Sequence, residues 1–172
     1  MQKIDIGCGI EAIGDGALST CISLKNVITH GSVTRIGNYA FNGCARLVDA
    51  PIWNSVSSIG DNAFENCNRL TSVAIPENVL SLGNRVFKNC HRITHLDLNE
   101  GLSTTGNYTF VNCIGLTSIS IPDSMISVGE NAFDGCSSVT NLDLGNGITR
   151  IPKNAFKDLN DGISHVHIPA ST

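Results

Sequence analysis

The sequence has few charged residues, few aromatic residues, no excess of basic side chains and no long apolar run, and these absences argue against several classes of protein. Charged residues make up 15% of the 172 positions and aromatic residues 5%, with a formal net charge of −4. Nucleic-acid binding is disfavoured, because phosphate contacts need a basic face. No apolar run approaches the ~18 residues that span a membrane, and the N-terminal segment MQKIDIGCGIEAIG lacks the apolar core of a signal peptide. Either the protein stays in the cytoplasm or this chain is a piece of a longer one.

What the sequence does contain is an internal repeat of 23 residues, visible as three columns. The first column holds mainly aliphatic residues, at Ile13, Ile36, Ile59, Leu82, Thr105, Val128 and Ile151. The second holds mainly phenylalanine, at Leu18, Phe41, Phe64, Phe87, Phe110, Phe133 and Phe156. The third holds cysteine, at Cys21, Cys44, Cys67, Cys90, Cys113 and Cys136, with Leu159 next in line. So regular a recurrence over successive units excludes chance.

Each unit divides into a predicted turn and a predicted strand. The segment IGDNAFENC, from Ile59 to Cys67, predicts a short helical turn with an inward Ala-Phe pair. Its N-cap position is held in successive units by Asp15, Asn38, Asp61, Asn84 and Asn107. The segment LTSVAIP, from Leu70 to Pro76, alternates apolar and polar residues, which predicts a half-buried strand. Prolines that end such strands stand at Pro76, Pro122 and Pro169.

One unit cannot bury its own apolar side, so successive units must stack on each other. Stacking predicts a continuous core and one parallel sheet of eight strands. The unit resembles the BspA-type leucine-rich repeat, also found in Treponema leucine-rich proteins, whose pattern is LxxLxLPxxLxxIGxxAFxxCxxL. The resemblance covers nearly the whole chain. It implies a repeat solenoid, a right-handed superhelix of the α/β type, with a parallel β-sheet on the concave face and short helical turns on the convex face.

The same register predicts the domain organisation. We expect one leucine-rich repeat domain over residues 1–172, with a leading half repeat at 1–12 and full repeats starting at residues 13, 36, 59, 82, 105, 128 and 151. The absence of a recognisable capping segment at either end indicates part of a longer protein.

The resemblance also implies a function. It indicates a non-enzymatic protein-binding module, the repeat region of a cell-surface or secreted adhesin that binds host or neighbouring-cell proteins through its concave face. The alternative is a structural module that self-associates by stacking through open solenoid ends, because both ends of the chain would expose core and unpaired strand edges.

The seven cysteines raise the question of disulfides or metal. The sequence contains no CxxC, and a 23-residue spacing matches no metal motif. Equivalent side chains in stacked coils run parallel rather than toward each other, which disfavours disulfides. Because Leu159 takes the next place in the column, we interpret the column as buried packing thiols, with coil-to-coil disulfides or metal as the alternative. Cys8 lies off the column and is predicted to be the most reactive thiol.

Histidine, serine and aspartate recur on the strands without forming a catalytic constellation. His165 and His167 alternate on one strand, and His95 takes the equivalent position three units earlier. A pH-sensitive or metal-binding patch is one interpretation, and polar side chains on a solvated face are the preferred one. An open sheet offers no water-excluding pocket, so we expect no catalytic residue, cofactor or metal.

The candidate ligand contacts are outward strand positions together with Trp53, which replaces the strand-ending proline. They are Asn26, Ile28, Asp49, Trp53, Ser72, His95, Asp97, Ser118, Asn141, Asp143, His165 and His167. The N-terminal part is more apolar, with Ile28, Pro51 and Trp53, whereas the C-terminal part is polar. Trp53, the only tryptophan, is either a contact residue or a side chain packed over its own coil.

Overall fold

Two ladders of parallel strands run along the molecule in the computed structural model, which describes residues 2–168. The strands of the first ladder, the long ladder, are β1 (Lys3–Ile6), β3 (Asn26–Thr29), β6 (Ser72–Ala74), β8 (His95–Asp97), β10 (Ser118–Ser120), β11 (Asn141–Asp143) and β12 (His165–His167). The strands of the second, the short ladder, are β2 (Ala12–Ile13), β4 (Arg35–Ile36), β5 (Ser58–Ile59), β7 (Ser81–Leu82) and β9 (Thr104–Thr105).

The pairing register follows the sequence repeat. Lys3 pairs with Asn26 and Ser118 pairs with Asn141, so each of these strand residues lies beside the residue 23 positions later in the chain. Between β11 and β12 the offset grows by one, because Asn141 pairs with His165. The predicted parallel solenoid is therefore confirmed, together with its repeat length.

The prediction of one continuous sheet of eight strands is wrong, because the long ladder is interrupted. The long ladder forms three sheets, which are β1–β3, β6–β8 and β10–β11–β12. In the coil between β3 and β6, a single bridge from Asp49 to Ser72 replaces the strand. Pro51 in that coil has no N–H to donate, which explains its interruption of the ladder. Pro51 is also buried rather than directed outward, which corrects its predicted place on the concave face.

The sequence did not predict the short ladder. Each of its strands has two residues, an outward one followed by an aliphatic or threonine residue that is buried in the core. The ladder continues past β9 as a bridge between Thr104 and Ser127. The recurrence of the Ile-Gly pair every 23 residues is the signal that marks it.

The convex segments are turns, so the predicted short helical turns are wrong. In the segment from Ile59 to Cys67, the N–H groups of Asn62, Phe64 and Asn66 donate to carbonyls of the next coil. The N–H groups of Glu65 and Cys67 instead donate within their own turn, to the carbonyls of Asn62 and Phe64. Asn62 and Asn66 have φ of 58° and 62°, in the left-handed region that an α-helix excludes.

The predicted N-caps are also wrong, because these side chains bond to the neighbouring coil instead. Asn38 Oδ1 accepts from the backbone N–H of Asp61 at 2.8 Å, and Asp61 Oδ1 accepts from that of Asn84 at 2.7 Å. Asp15, Asn84 and Asn107 repeat this contact. We call the column Asp15, Asn38, Asp61, Asn84 and Asn107 the Asx column. These side chains bond one coil to the next, whereas an N-cap would bond within its own turn.

A glycine follows the aliphatic residue because the coils approach closely there. A Cβ atom placed on Gly60 would lie 2.6 Å from Asn38 Oδ1 and 2.7 Å from the backbone nitrogen of Asn38. Any side chain at Gly60 would therefore push two coils apart at the Asx column.

The phenylalanine column forms the centre of the core, as predicted. The rings from Phe41 to Phe133 are fully buried and Phe156 is half-buried. Neighbouring rings stack nearly parallel, with centroids 5.2, 5.4, 5.5, 4.9 and 5.6 Å apart from Phe41 to Phe156. The column thereby links six coils through one continuous apolar contact. The predicted strand end at Pro169 lies outside the described residues.

Over residues 2–168 there is no helix with the length and hydropathy needed to cross a membrane.

Candidate functional site

The candidate contact residues lie on one surface, which we call the strand face: the outward side chains of the long ladder, with Asp49 and Trp53. The register places all of them except Trp53 in two outward rows that repeat from coil to coil. Ten of the twelve are exposed: Asn26, Asp49, Ser72, His95, Asp97, Ser118, Asn141, Asp143, His165 and His167. Ile28 and Trp53 are half-buried.

The N-terminal part of the strand face contains a hollow. Its walls include Lys3, Asn26, Ile28 and Asp49, and Trp53 lines one side. Trp53 also packs against the hydrophobic core. The ring therefore packs against the core and also borders the hollow, and its role as a contact residue stays a prediction.

A longer depression, which we call the axial groove, continues from the hollow along the solenoid. It consists of two adjoining parts that share Glu100. Ile52 borders both the hollow and the groove. The residues lining the groove are Ile52, Asn54, Ala74–Asn78, Asp97, Asn99–Gly101, Ser120–Asp123, Asp143–Asn146, His165 and His167.

The groove has one wall that the sequence reasoning missed. Glu77, Glu100 and Asp123 lie in the segment after each strand and are spaced 23 residues apart. The predicted turn and the predicted strand of each unit left that segment without an assigned role. The signal was a recurring acidic residue at one repeat position, two residues after a buried aliphatic side chain.

Hydrogen bonds hold part of the acidic wall in place. Asp123 Oδ1 accepts from the backbone N–H of Asn146 at 2.8 Å and from its side-chain amide at 3.1 Å. These bonds favour the charged carboxylate, and they lower the pKa of Asp123 below its ordinary value. Asp123 is therefore a carboxylate at neutral pH.

The histidines of the strand face do not form a catalytic triad with their neighbours. His167 Nδ1 lies 2.7 Å from Asp143 Oδ1, and His95 Nδ1 lies 2.9 Å from the hydroxyl of Thr94. The carboxylate and the hydroxyl thus contact different histidines, whereas a triad needs both on one ring. Among residues 2–168 no three His, Cys, Asp or Glu side chains are placed to share a metal ion.

The cysteine column is part of the core, which confirms its interpretation as packing thiols. Cys44, Cys67, Cys90, Cys113 and Cys136 are buried and free. Each donates a hydrogen bond to a carbonyl of the preceding coil, as Cys90 Sγ does to Phe64 O at 3.1 Å. Burial raises the pKa of Cys44 to about 11 and that of Cys90 and Cys136 to about 12. These thiols are protonated at physiological pH.

Cys8 has a different environment, as the sequence predicted. It is exposed, and its Sγ lies 3.6 Å from the carbonyl of His30. Cys21, at the start of the column, is half-buried.

Comparison with known proteins identifies the repeat. The model of the BspA-type leucine-rich repeat region, in six copies, matches residues 1–93 and 58–172. No curated protein matches the sequence.

Several solved structures are similar in fold. A leucine-rich cell surface protein from Faecalibacterium prausnitzii is 30% identical with a TM-score of 0.80, over 88% of this chain and 40% of its own. A leucine-rich repeat protein from Bacteroides ovatus is 27% identical with a TM-score of 0.86, over 92% of this chain and 41% of its own. A leucine-rich repeat protein from T. pallidum is 29% identical with a TM-score of 0.58, over 60% of this chain and 48% of its own. The chain thus spans less than half the length of these proteins.

Proposed function

Since this chain belongs to the family of BspA-type leucine-rich repeat proteins, we propose that it is a non-enzymatic protein-binding module whose ligand docks on the strand face. The proposed setting is the cell surface or the secreted fraction, where the ligand is a host or neighbouring-cell protein. The description of the Faecalibacterium prausnitzii relative as a cell surface protein supports that setting.

The observation that carries the proposal is the contrast between the two sides of each strand. The inward positions repeat as Val73, Leu96, Ile119 and Leu142, all aliphatic. The outward positions beside them change from coil to coil among Ser, Ala, His, Asp and Asn. A regular scaffold thus displays an irregular, exposed surface more than one coil long, which is the form of a protein-docking surface.

The test is capture from a panel of extracellular-matrix and cell-surface proteins. The strand-face variant carries Ile28→Ala, Trp53→Ala, Asp97→Ala and Asp143→Ala. The matched control carries four exposed changes on the convex side, Tyr39→Asn, Arg85→Asn, Glu130→Ala and Lys153→Ala. We expect at least one panel protein to bind the wild type and the control alike and to bind the strand-face variant at least tenfold more weakly.

Trp53 packs against the core, so the strand-face variant must be checked for folding by circular dichroism. A second variant restricted to exposed side chains, Asp49→Ala, His95→Ala and Asp97→Ala, keeps the test decisive if the first unfolds. No binder across the panel, or equal binding by wild type and folded strand-face variants, contradicts the proposal.

An exposed inward side chain in the last described strand favours a second candidate, end-to-end assembly. Val166 of β12 is 48% exposed, whereas Leu142, its partner in β11, is 5% exposed. A strict monomer in size-exclusion chromatography with light scattering at high concentration would eliminate this candidate.

A further inference from the structure

We propose that the axial groove binds an extended peptide segment rich in lysine or arginine. This inference rests on the proposed function, because it names the chemical class of ligand for the same face. It is carried by the charge of the groove, by its unpaired carboxylates and by its shape.

The groove is one-sided in charge. Five carboxylates line it, namely Glu77, Asp97, Glu100, Asp123 and Asp143. Among the described residues that line the groove, none is lysine or arginine. The lysine and arginine residues that do form ion pairs lie elsewhere, with Arg35 on Asp15, Lys88 on Glu65 and Lys157 on Asp134 and Asp158. The groove therefore presents a negative electrostatic field that no lysine or arginine among its described lining residues neutralises.

Three of these carboxylates have unused capacity for a cation. Glu77, Asp97 and Glu100 form neither an ion pair nor a side-chain hydrogen bond within residues 2–168. Asp143 is already paired with His167. A partner with several ammonium or guanidinium groups could form ion pairs with these carboxylates without breaking an existing contact.

The shape of the groove fits an extended chain rather than a compact ion. Apolar residues also take part in its lining, with Ile52, Ala74 and Ile75 at one end and Ile121 and Pro122 toward the other. The row from Asn54 to Asn146 crosses five coils. At a strand spacing of about 4.8 Å this is roughly 19 Å, the length of about six extended residues. The carboxylates are distributed along this length, so a ligand with charges at intervals matches them.

The experiment measures binding of fluorescein-labelled octalysine by anisotropy at low and at physiological salt. The groove variant is Glu77→Gln, Glu100→Gln and Asp123→Asn, which removes three charges and keeps side-chain size. The matched control is Glu11→Gln, Glu130→Gln and Asp161→Asn, three exposed carboxylates that do not line the groove. Octaglutamate serves as the negative probe.

We expect wild type and control to bind octalysine within twofold of each other and octaglutamate not to bind. We expect the groove variant to lose about tenfold in affinity, since each exposed charge pair contributes a few tenths to one kcal/mol. Raising the salt should weaken binding to the wild type more than to the groove variant. Absent binding of octalysine, or equal losses in both variants, overturns the inference.

The result is separable from the test of the proposed function. The groove variant changes no residue of the strand-face variant. A panel protein that requires Ile28 and Trp53 but binds the groove variant like wild type would overturn the basic-peptide inference and leave the proposed function standing. Groove-dependent octalysine binding with no panel protein captured would support the basic-peptide inference and contradict the proposed function.

Discussion

At the residue scale, the stability of the fold depends most on side chains that lie between two coils. Phe87 is fully buried, with stacked rings at 5.4 and 5.5 Å on its two sides. We expect Phe87→Ala to lower the free energy of unfolding by roughly 3–5 kcal/mol, because it leaves a cavity inside the column. Urea denaturation followed by circular dichroism measures the change.

Phe156 provides the matched control for that substitution. It is half-buried and stacks on Phe133 alone in the described residues. Phe156→Ala should therefore cost clearly less than Phe87→Ala. Equal or near-neutral costs would mean that the column is not the centre of the core.

The buried thiols predict a dependence of stability on alkaline pH. Burial raises the pKa of Cys90 and Cys136 from an ordinary value of 9.0 to about 12. The contribution of a group whose pKa is raised on folding is complete below the unfolded value and is lost as the pH rises through the folded value. The melting temperature should therefore fall more steeply between pH 9 and pH 10.5 in wild type than in the double variant Cys90→Ala, Cys136→Ala. Cys8→Ala, at an exposed thiol, should retain the wild-type slope.

At the element scale, the Asx column takes the place of helix caps. Asp61 accepts from the backbone N–H of Asn84 at 2.7 Å and from its side-chain amide at 3.2 and 3.3 Å. Asp61→Ala removes these acceptors and should cost about 1–2 kcal/mol of stability, whereas Asp61→Asn keeps one oxygen and should cost less. Thermal melts of the two variants give the comparison. Identical losses would show that the coil-to-coil bond contributes little.

The long strands could be predicted from the sequence, whereas the coil-to-coil bonds of the convex turns could not. Apolar and polar residues alternate within each strand, which places Val73, Leu96 and Ile119 inward. This alternation can be recognised in a single unit. The turns depend instead on bonds to the next coil, which no single unit reveals. One signal against a helix was present in the repeat. Tyr39, with φ of 56°, shares its position with Asn62, Asn131 and Asn154, and asparagine tolerates the left-handed backbone that excludes a helix.

At the scale of the whole molecule, the strand face was predictable in composition but not in shape. Register alone assigns Asp97 and Asp143 to one outward row. The groove arises because a second row, with Glu77 and Glu100, approaches from the connecting segments. The predicted turn and strand of each unit leave those segments unassigned, so the sequence predicted one wall of the groove and not the other.

The central claim is that ligands dock on the strand face, and hydrogen–deuterium exchange with a captured panel protein tests it most directly. The account predicts that binding slows exchange in peptides covering the long ladder and the groove, at residues 72–78, 95–101, 118–123 and 141–146. Peptides from the convex turns, at residues 61–67, 84–90 and 107–113, should exchange as in the free protein. Protection confined to the convex turns, with none along the long ladder, would contradict the account.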